Sequence, residues 1–170
     1  MLHLSNPSAL RFGAFCPIFR LHGHRVGDPD VDVCATKGHN EVWSYGAPAY
    51  EAIAAVMRLR EKLRPYIAEG LANATAHGAP LLRPMAYDCA DTACNDGSTA
   101  DQYMFGARFV VAPVQVYQAK ARSVYLPVLG AGEQWVHFYS REALAAGTRH
   151  TVATTNLTEF PLFERVANIM

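Results

Sequence analysis

The feature that most constrains this chain is a change of pattern near Pro80. Before it, apolar residues from Tyr50 to Leu71 recur at helical spacing. After it, short apolar segments are separated by glycine, proline or polar turns as far as Arg165. The pattern predicts an α/β part followed by an all-β part.

The longest predicted helix begins near Pro48, a residue suited to a first helical turn. Pro65 should kink this helix, because its ring removes a hydrogen bond and clashes with the preceding turn. Gly78 should end it in a left-handed backbone. One apolar face is predicted, made by Tyr50, Ile53, Val56, Met57, Leu63, Ile67 and Leu71.

The second half should form an antiparallel sheet or sandwich, because its apolar segments are short and evenly spaced. These segments span residues 81–87, 103–116, 123–126, 135–139, 150–153 and 160–165.

The chain before the helix predicts a helical stretch over 12–16, a break at Pro17 and a short strand over 18–22, followed by a polar loop. A single strand with its following helix cannot bury both faces of the strand. The first half is therefore predicted to be a piece of something larger, or to pair with another chain.

Composition excludes several classes of protein. The 170 residues carry 15 Lys and Arg against 15 Asp and Glu, and this zero balance argues against nucleic-acid binding. No apolar run reaches the roughly 18 residues of a membrane span, and residues 1–8 lack the features of a signal peptide. The compartment stays open.

Two groups of candidate metal ligands stand out, but neither has a second pair at zinc spacing. His22 and His24 could act with Cys34 and His39, and Cys89 lies five residues before Cys94. We predict no metal site, and we interpret Cys89 and Cys94 as free thiols.

Four acids gather between two predicted strands: Asp88, Asp91, Asp96 and Asp101. Such oxygen ligands could bind calcium, but the spacing of an EF-hand is absent. A solvated turn is the favoured interpretation.

Arg20 and His22 are the candidate site residues, one pleat apart on the same face of the predicted strand. At the carboxyl end of a barrel strand they would point into the mouth of a site, although a surface pair fits equally well. Trp43 and Tyr45 could stack on a sugar, but core packing is their default interpretation.

The segment from Gly13 to Gly23, with Pro17, Arg20 and His22 in it, resembles glycoside hydrolase family 31, the α-glucosidase and α-xylosidase family. The run from His22 to Arg25 is most similar to the α-xylosidase-like branch. Further segments resemble the family in the same order: residues 41–46, 59–66, 82–85, 101–106, 111–114, 124–127, 135 and 160–165.

The resemblance implies the end of a (β/α)8 barrel in residues 1–100 and a proximal β-sandwich domain in residues 101–170. It also implies a retaining mechanism, with one aspartate as nucleophile and another as general acid/base. Both lie upstream in the family and have no matching position here, so no catalytic residue is assigned and the isolated chain is predicted to be inactive.

The resemblance carries over one sugar contact, His22, which in the family faces the terminal sugar, while Arg20 shapes that site by salt bridging. The implied partners are an α-linked oligosaccharide or glycoside and the missing N-terminal part of the barrel. No cofactor, nucleic acid or membrane is predicted. The segment from Gly27 to His39 departs from shorter family members.

Residues 1–9 do not match the helix that the family has there, which predicts an incomplete gene model or a truncated gene. Two alternatives stay open. One is a non-catalytic carbohydrate-binding or structural β-module, with Trp43, Tyr103 and Trp135 as stacking residues. The other is a remnant that aggregates through an open barrel edge.

Overall fold

A computed structural model describes residues 12–20, 25–26, 37–38, 42–116, 118–156 and 158–167. After a helical turn over 12–14, the helices are a 3-10 helix Val42–Tyr45, α1 Ala47–Lys62, α2 Arg64–His77, α3 Met85–Asp88 and α4 Thr92–Asn95. The strands are β1 Arg25–Val26, β2 Lys37–Gly38, β3 Leu82–Pro84, β4 Tyr103–Phe105, β5 Phe109–Val111, β6 Ala121–Leu126, β7 Glu133–His137, β8 Ala143–Leu144, β9 Thr148–Ala153 and β10 Leu162–Ala167.

Prolines and a glycine set the limits of the two long helices, as predicted. Pro48 lies in the first turn of α1, and Pro65 lies in the first turn of α2, so the helical run breaks at Leu63 between them. Gly78 ends α2 with a φ of 71°, and its N–H donates to the carbonyl of Ala74 at 2.9 Å.

A six-stranded antiparallel sheet forms the centre of the molecule, in the order β3-β4-β5-β10-β7-β8. The last strand, β10, lies between β5 and β7, where Phe163 pairs with Val110 on one side and His137 on the other. A second sheet pairs β6 with β9, also antiparallel, and β1 pairs with β2.

Both faces of the central sheet are buried. Tyr103, Phe105, Phe109, Val111 and Leu162 pack on one face against Phe15, α1 and α2. The alternate residues Met104, Val110 and Phe163 pack on the other face with Trp135 against Val124 and Leu126 of β6. Strands covered on both sides read as continuous apolar runs, which explains the sequences Tyr-Met-Phe and Phe-Val-Val of β4 and β5.

The α/β part followed by an antiparallel β part is therefore confirmed, and the second half forms two stacked sheets. The division predicted at residue 100 stays a prediction; β3 already belongs to the central sheet. Among the described residues, no helix is long and apolar enough to cross a membrane.

Two local predictions are wrong. Ile18 to Arg20 form a bend and irregular chain rather than a strand, because no described strand lies beside them to complete a ladder. Met85 to Asp88 form α3 instead of continuing β3, because the pairing of β3 with β4 ends at Pro84.

The apolar face of the helices is only partly covered. Ile53, Val56, Leu63 and Ile67 are buried, as predicted. Tyr50, Met57 and Leu71 remain about 40% exposed.

Candidate functional site

The segment that leads to the candidate site residues is anchored by Phe15. Its side chain is fully buried, and its ring makes edge contacts with Phe105, Phe109 and Phe160 at centroid distances of 5.4, 6.4 and 5.3 Å. Tyr103 adds a hydrogen bond from its hydroxyl to the Phe15 carbonyl at 3.3 Å. The segment is thus fixed to the β sheet rather than only to the helices that follow it in sequence.

Arg60 of α1 holds the next turn of the same segment. Its guanidinium donates to the carbonyls of Ala14 at 2.6 Å, Cys16 at 2.7 Å and Pro17 at 3.0 Å. The guanidinium also lies 5.5 Å from the ring centre of Phe19. One side chain therefore satisfies three carbonyls that belong to no ladder.

Close packing accompanies this anchor. A Cβ on Gly13 would lie 3.0 Å from the Phe19 ring, so the turn over 12–14 has little room for a side chain at that position. Burial lowers the pKa of Arg60 from its ordinary value. Burial also raises the pKa of the nearby Cys16 thiol, and the charge of Arg60 opposes that rise.

The anchored segment delivers Arg20 to the surface. Arg20 is exposed and lies at the end of the described stretch 12–20. His22, together with His24, Cys34 and His39, lies outside the described residues, so the predicted pairing of Arg20 and His22 on one face stays a prediction.

The aromatic candidates differ in exposure. Trp43 lies in the 3-10 helix and is 70% exposed, so its predicted core packing is wrong within this chain. The side chain of Tyr45 lies outside the described residues. Trp135 is 1% exposed and donates from its indole to the Pro127 carbonyl at 2.9 Å, and Tyr103 is 8% exposed. Neither Trp135 nor Tyr103 is available to stack on a ligand.

The four clustered acids are each engaged by a different protein group. Contacts of this kind are typical of a hydrogen-bonded turn, and the absence of a calcium site stays a prediction. The partners are Arg83 for Asp88 (2.8 Å), the Tyr125 hydroxyl and Val128 N–H for Asp91 (2.8 and 2.9 Å), Ser98 N–H for Asp96 (2.8 Å) and Arg122 for Asp101 (2.8 Å).

Cys89 and Cys94 form a disulfide, so their interpretation as free thiols is wrong. Two short helices, α3 and α4, bend the chain back and bring the cysteines within bonding distance. Spacing alone did not show that bend.

A cleft of about 780 Å³ between α2 and the central sheet contains three arginines, but their charges are already matched. The ion pairs are Arg83 with Asp88, Arg108 with Glu164 and Arg165 with Glu133. Paired groups offer little to a charged ligand, so this cleft is a weaker candidate than the segment ending at Arg20.

The anchors of the site were not found from the sequence. The sequence patterns do not single out Arg60, and they suggest Tyr103 only as a stacking residue. The sequence feature that could have indicated this anchor is Pro17, because a proline beside an irregular turn leaves backbone carbonyls that need hydrogen-bond donors from distant side chains.

Two family models match the chain side by side. Residues 9–69 match the model of the glycosyl hydrolases family 31 TIM-barrel domain, and residues 78–170 match the glycosyl hydrolase family 31 C-terminal domain. The two matches follow the same order as the α/β and β parts of the fold.

Individual relatives agree with these models. The chain is 31% identical to an α-xylosidase of Saccharolobus solfataricus over 94% of its own length, and 32% identical to α-xylosidase A of Aspergillus niger over 81%. It covers only 20% of each of those proteins.

Solved structures give the same result. A family 31 α-xylosidase from a soil metagenome, complexed with xylose, superposes with a TM-score of 0.80 at 32% identity. A xylosidase from Aspergillus niger superposes with a TM-score of 0.84 at 29% identity. Each alignment covers 95% of this chain, and 24% and 23% of the respective solved chains. With the C-terminal-domain model alone spanning more than half of its residues, and the barrel model preceding it, this chain belongs to glycosyl hydrolase family 31.

Proposed function

We propose that this chain supplies the end of the catalytic barrel and the adjoining β domain of a retaining α-glycosidase that hydrolyses α-xylosides or α-glucosides. The relatives include enzymes named α-xylosidase and α-glucosidase, and one of the similar structures holds xylose. The chain spans about a fifth of the curated relatives it matches, so the activity belongs to a longer protein.

The observation that carries the proposal is the anchored segment 12–20. Phe15 and Arg60 fix this segment from two sides, and it leads directly to Arg20 and then to His22. A group that orients a sugar must be held to within a fraction of an ångström, and buried supports of this kind provide that.

In this proposal His22 donates or accepts a hydrogen bond with a hydroxyl of the terminal sugar, and Arg20 shapes the site by salt bridging with a carboxylate. Neither residue breaks the glycosidic bond. The nucleophile and the general acid/base are aspartates that match no position in this chain, so the purified 170 residues should have no turnover. Without such a pair, both attack on the sugar and protonation of the leaving group fail.

The first test is an assay of the purified chain with aryl α-xyloside and aryl α-glucoside. We expect release of the aryl group at the rate of the buffer alone. Turnover that follows the protein through purification would contradict the assignment of catalysis to absent aspartates.

The second test is the 5′ end of the native transcript, together with the mass of the native protein. The proposal expects the message to continue upstream through barrel strands that carry two aspartates. A native mass near 18.6 kDa would contradict a role in catalysis.

In the longer protein, His22→Ala should lower kcat/KM by roughly tenfold to a hundredfold, the range for a hydrogen bond that involves a charged or strongly polar partner. His77→Ala is the matched control, because His77 is exposed at the end of α2. Equal effects of the two substitutions would contradict a sugar contact at His22.

The alternative of a non-catalytic sugar-binding module rests on Trp43, because Trp135 and Tyr103 are buried. It expects calorimetric binding of xylose oligosaccharides to the purified chain, lost in Trp43→Ala and unchanged in Tyr87→Ala, another exposed aromatic. Absence of binding counts against this alternative and leaves the proposal intact.

A further inference from the structure

The segment between β3 and β4 brings two soft sulfur atoms and one hard oxygen atom close together. The sulfurs of Cys89 and Cys94 and a carboxylate oxygen of Asp91 all lie within 4.8 Å of one another. The two Cα atoms of the cysteines are 6.0 Å apart. The sequence offers no second pair of ligands beside these two cysteines, but a third ligand, Asp91, lies between them in the chain.

The donor set fits a thiophilic cation. Four residues separate the cysteines, which is within the two-to-four-residue spacing of structural zinc ligands. Two thiolates and one carboxylate leave the fourth tetrahedral position to water, a pattern found in open zinc sites. Hard cations such as Mg²⁺ and Ca²⁺ prefer oxygen ligands and do not fit two sulfurs.

The carboxylate is already oriented by groups outside the cluster. Oδ2 of Asp91 accepts hydrogen bonds from the Tyr125 hydroxyl at 2.8 Å and from the Val128 N–H at 2.9 Å. Asn95 donates to the carbonyls of Cys89 and Asp91 at 3.2 and 2.9 Å, which keeps the turn closed. Partners of this kind fix ligand orientation in metal sites.

The cluster is accessible from one side. Cys94 is 5% exposed, whereas Cys89 and Asp91 are only partly buried. Cys89 lines a cavity of about 120 Å³, with Asp88, Pro127 and Val128 among its other walls. That volume holds a few water molecules, each of which takes about 30 Å³ in the liquid.

We propose that reduction of the Cys89–Cys94 disulfide creates a binding site for a thiophilic divalent cation such as Zn²⁺, with Cys89, Cys94 and Asp91 as its protein ligands. The oxidised chain has no such site, because sulfurs that share a bond are not thiolates. The inference does not rest on the glycosidase function.

The chemistry balances with a dithiol as reductant. One thiolate of the dithiol attacks the sulfur of Cys89, the S–S bond breaks, and the Cys94 thiolate leaves. The second thiol of the reductant then displaces Cys89 and closes a disulfide within the reductant. Two electrons and two protons reach the protein as two thiols, and binding of the cation releases those two protons.

The test uses the full 170-residue chain carrying Cys16→Ser and Cys34→Ser, so that Cys89 and Cys94 are the only sulfurs able to become thiolates. The chain is reduced with a phosphine, titrated with Co²⁺ in the absence of oxygen, and then challenged with Zn²⁺. We expect a thiolate-to-cobalt charge-transfer band at one equivalent in the reduced chain, bleached by Zn²⁺ and absent from the oxidised chain. Absence of the band in the reduced chain, or loss of cooperative melting on reduction, would overturn the proposal.

Variants assign the ligands. Cys94→Ser should abolish the band, and Asp91→Asn should weaken Co²⁺ binding at least about tenfold while Asp96→Asn leaves it unchanged. Tyr125→Phe should weaken binding by roughly tenfold, the lower end of what loss of an outer partner costs. Binding unaffected by Cys94→Ser, or equal effects of the two aspartate substitutions, would contradict the ligand set.

Discussion

Arg60→Met should loosen the segment that carries the candidate site residues. Methionine keeps much of the apolar stem of Arg60 but removes the donors to the carbonyls of Ala14, Cys16 and Pro17. Within the part of the chain that the structure describes, those carbonyls then have no hydrogen-bond donor unless the segment opens to water.

The expected cost follows from the three bonds. A hydrogen bond with a charged donor contributes about 1.5–3 kcal/mol, but bonds that share one side chain are not additive. Holding the arginine side chain in one geometry also costs roughly 2 kcal/mol of rotamer entropy, which offsets part of the gain from the three bonds. We therefore expect a loss of about 2 kcal/mol in the free energy that keeps the segment closed.

Cys16 reports this opening directly. It lies within the segment, and the measurement is its labelling rate by an aromatic disulfide reagent in a Cys34→Ser background with the Cys89–Cys94 disulfide intact. A loss of about 2 kcal/mol raises the open population by roughly thirtyfold, and the part of the labelling rate that comes from the open state rises by the same factor.

The electrostatic effect of the substitution has the opposite sign. The charge of Arg60 opposes the rise that burial causes in the pKa of Cys16, so its removal lowers the thiolate fraction and slows labelling of a closed segment. Faster labelling therefore reports greater exposure of the Cys16 thiol and not a change in its pKa.

Arg58→Met is the matched control, because Arg58 is exposed on the same helix. It should leave labelling within about twofold and stability within about 0.5 kcal/mol. If Arg60→Met labels no faster than Arg58→Met, the three hydrogen bonds do not hold the segment and the reasoning is refuted.

Two further predictions concern the β domain. Gly106→Ala should lower the free energy of unfolding in urea by more than 2 kcal/mol, because the φ of Gly106 is +57° and an added Cβ would overlap the Tyr66 hydroxyl. Gly132 has a φ of +81° but faces open space, so Gly132→Ala should cost only about 1 kcal/mol. Equal costs of the two substitutions would contradict the overlap. Burial raises the pKa of Glu164, but hydrogen bonds from Arg141 and Arg108 and their charges hold it below its ordinary value. The contribution of Glu164 to stability is therefore present above its unfolded pKa, near 4.3, and is lost as pH falls through its folded pKa. Glu164→Gln should make the melting temperature less dependent on pH between about pH 5 and pH 2. The same fall in melting temperature at acid pH in both proteins would refute this.

Much of the architecture was predictable because it depends on local residue chemistry. Pro48, Pro65 and Gly78 act on the backbone wherever they occur, so the helix limits and the kink followed from the sequence. The order of the strands did not follow, since the placement of β10 between β5 and β7 depends on contacts between distant residues.

The candidate site was less predictable for the same reason. Arg60 and Phe15 act through partners far along the chain, and no periodicity shows which carbonyls a guanidinium will reach. The Cys89–Cys94 bond was missed because its geometry depends on the bend made by α3 and α4. The role proposed for His22 comes from the resemblance to the family, because composition and spacing do not indicate it.

The aromatic contact between Phe15 and Phe160 joins residues from opposite ends of the described chain. During translation Phe15 is made long before Phe160, so the segment around Phe15 lacks this aromatic contact until Phe160 has been added. Contacts of such long sequence separation form late and slowly, and the apolar groups that await them are exposed in the meantime. The yield of folded protein should therefore rise with added chaperones and with a lower growth temperature more than the size of the chain alone would suggest.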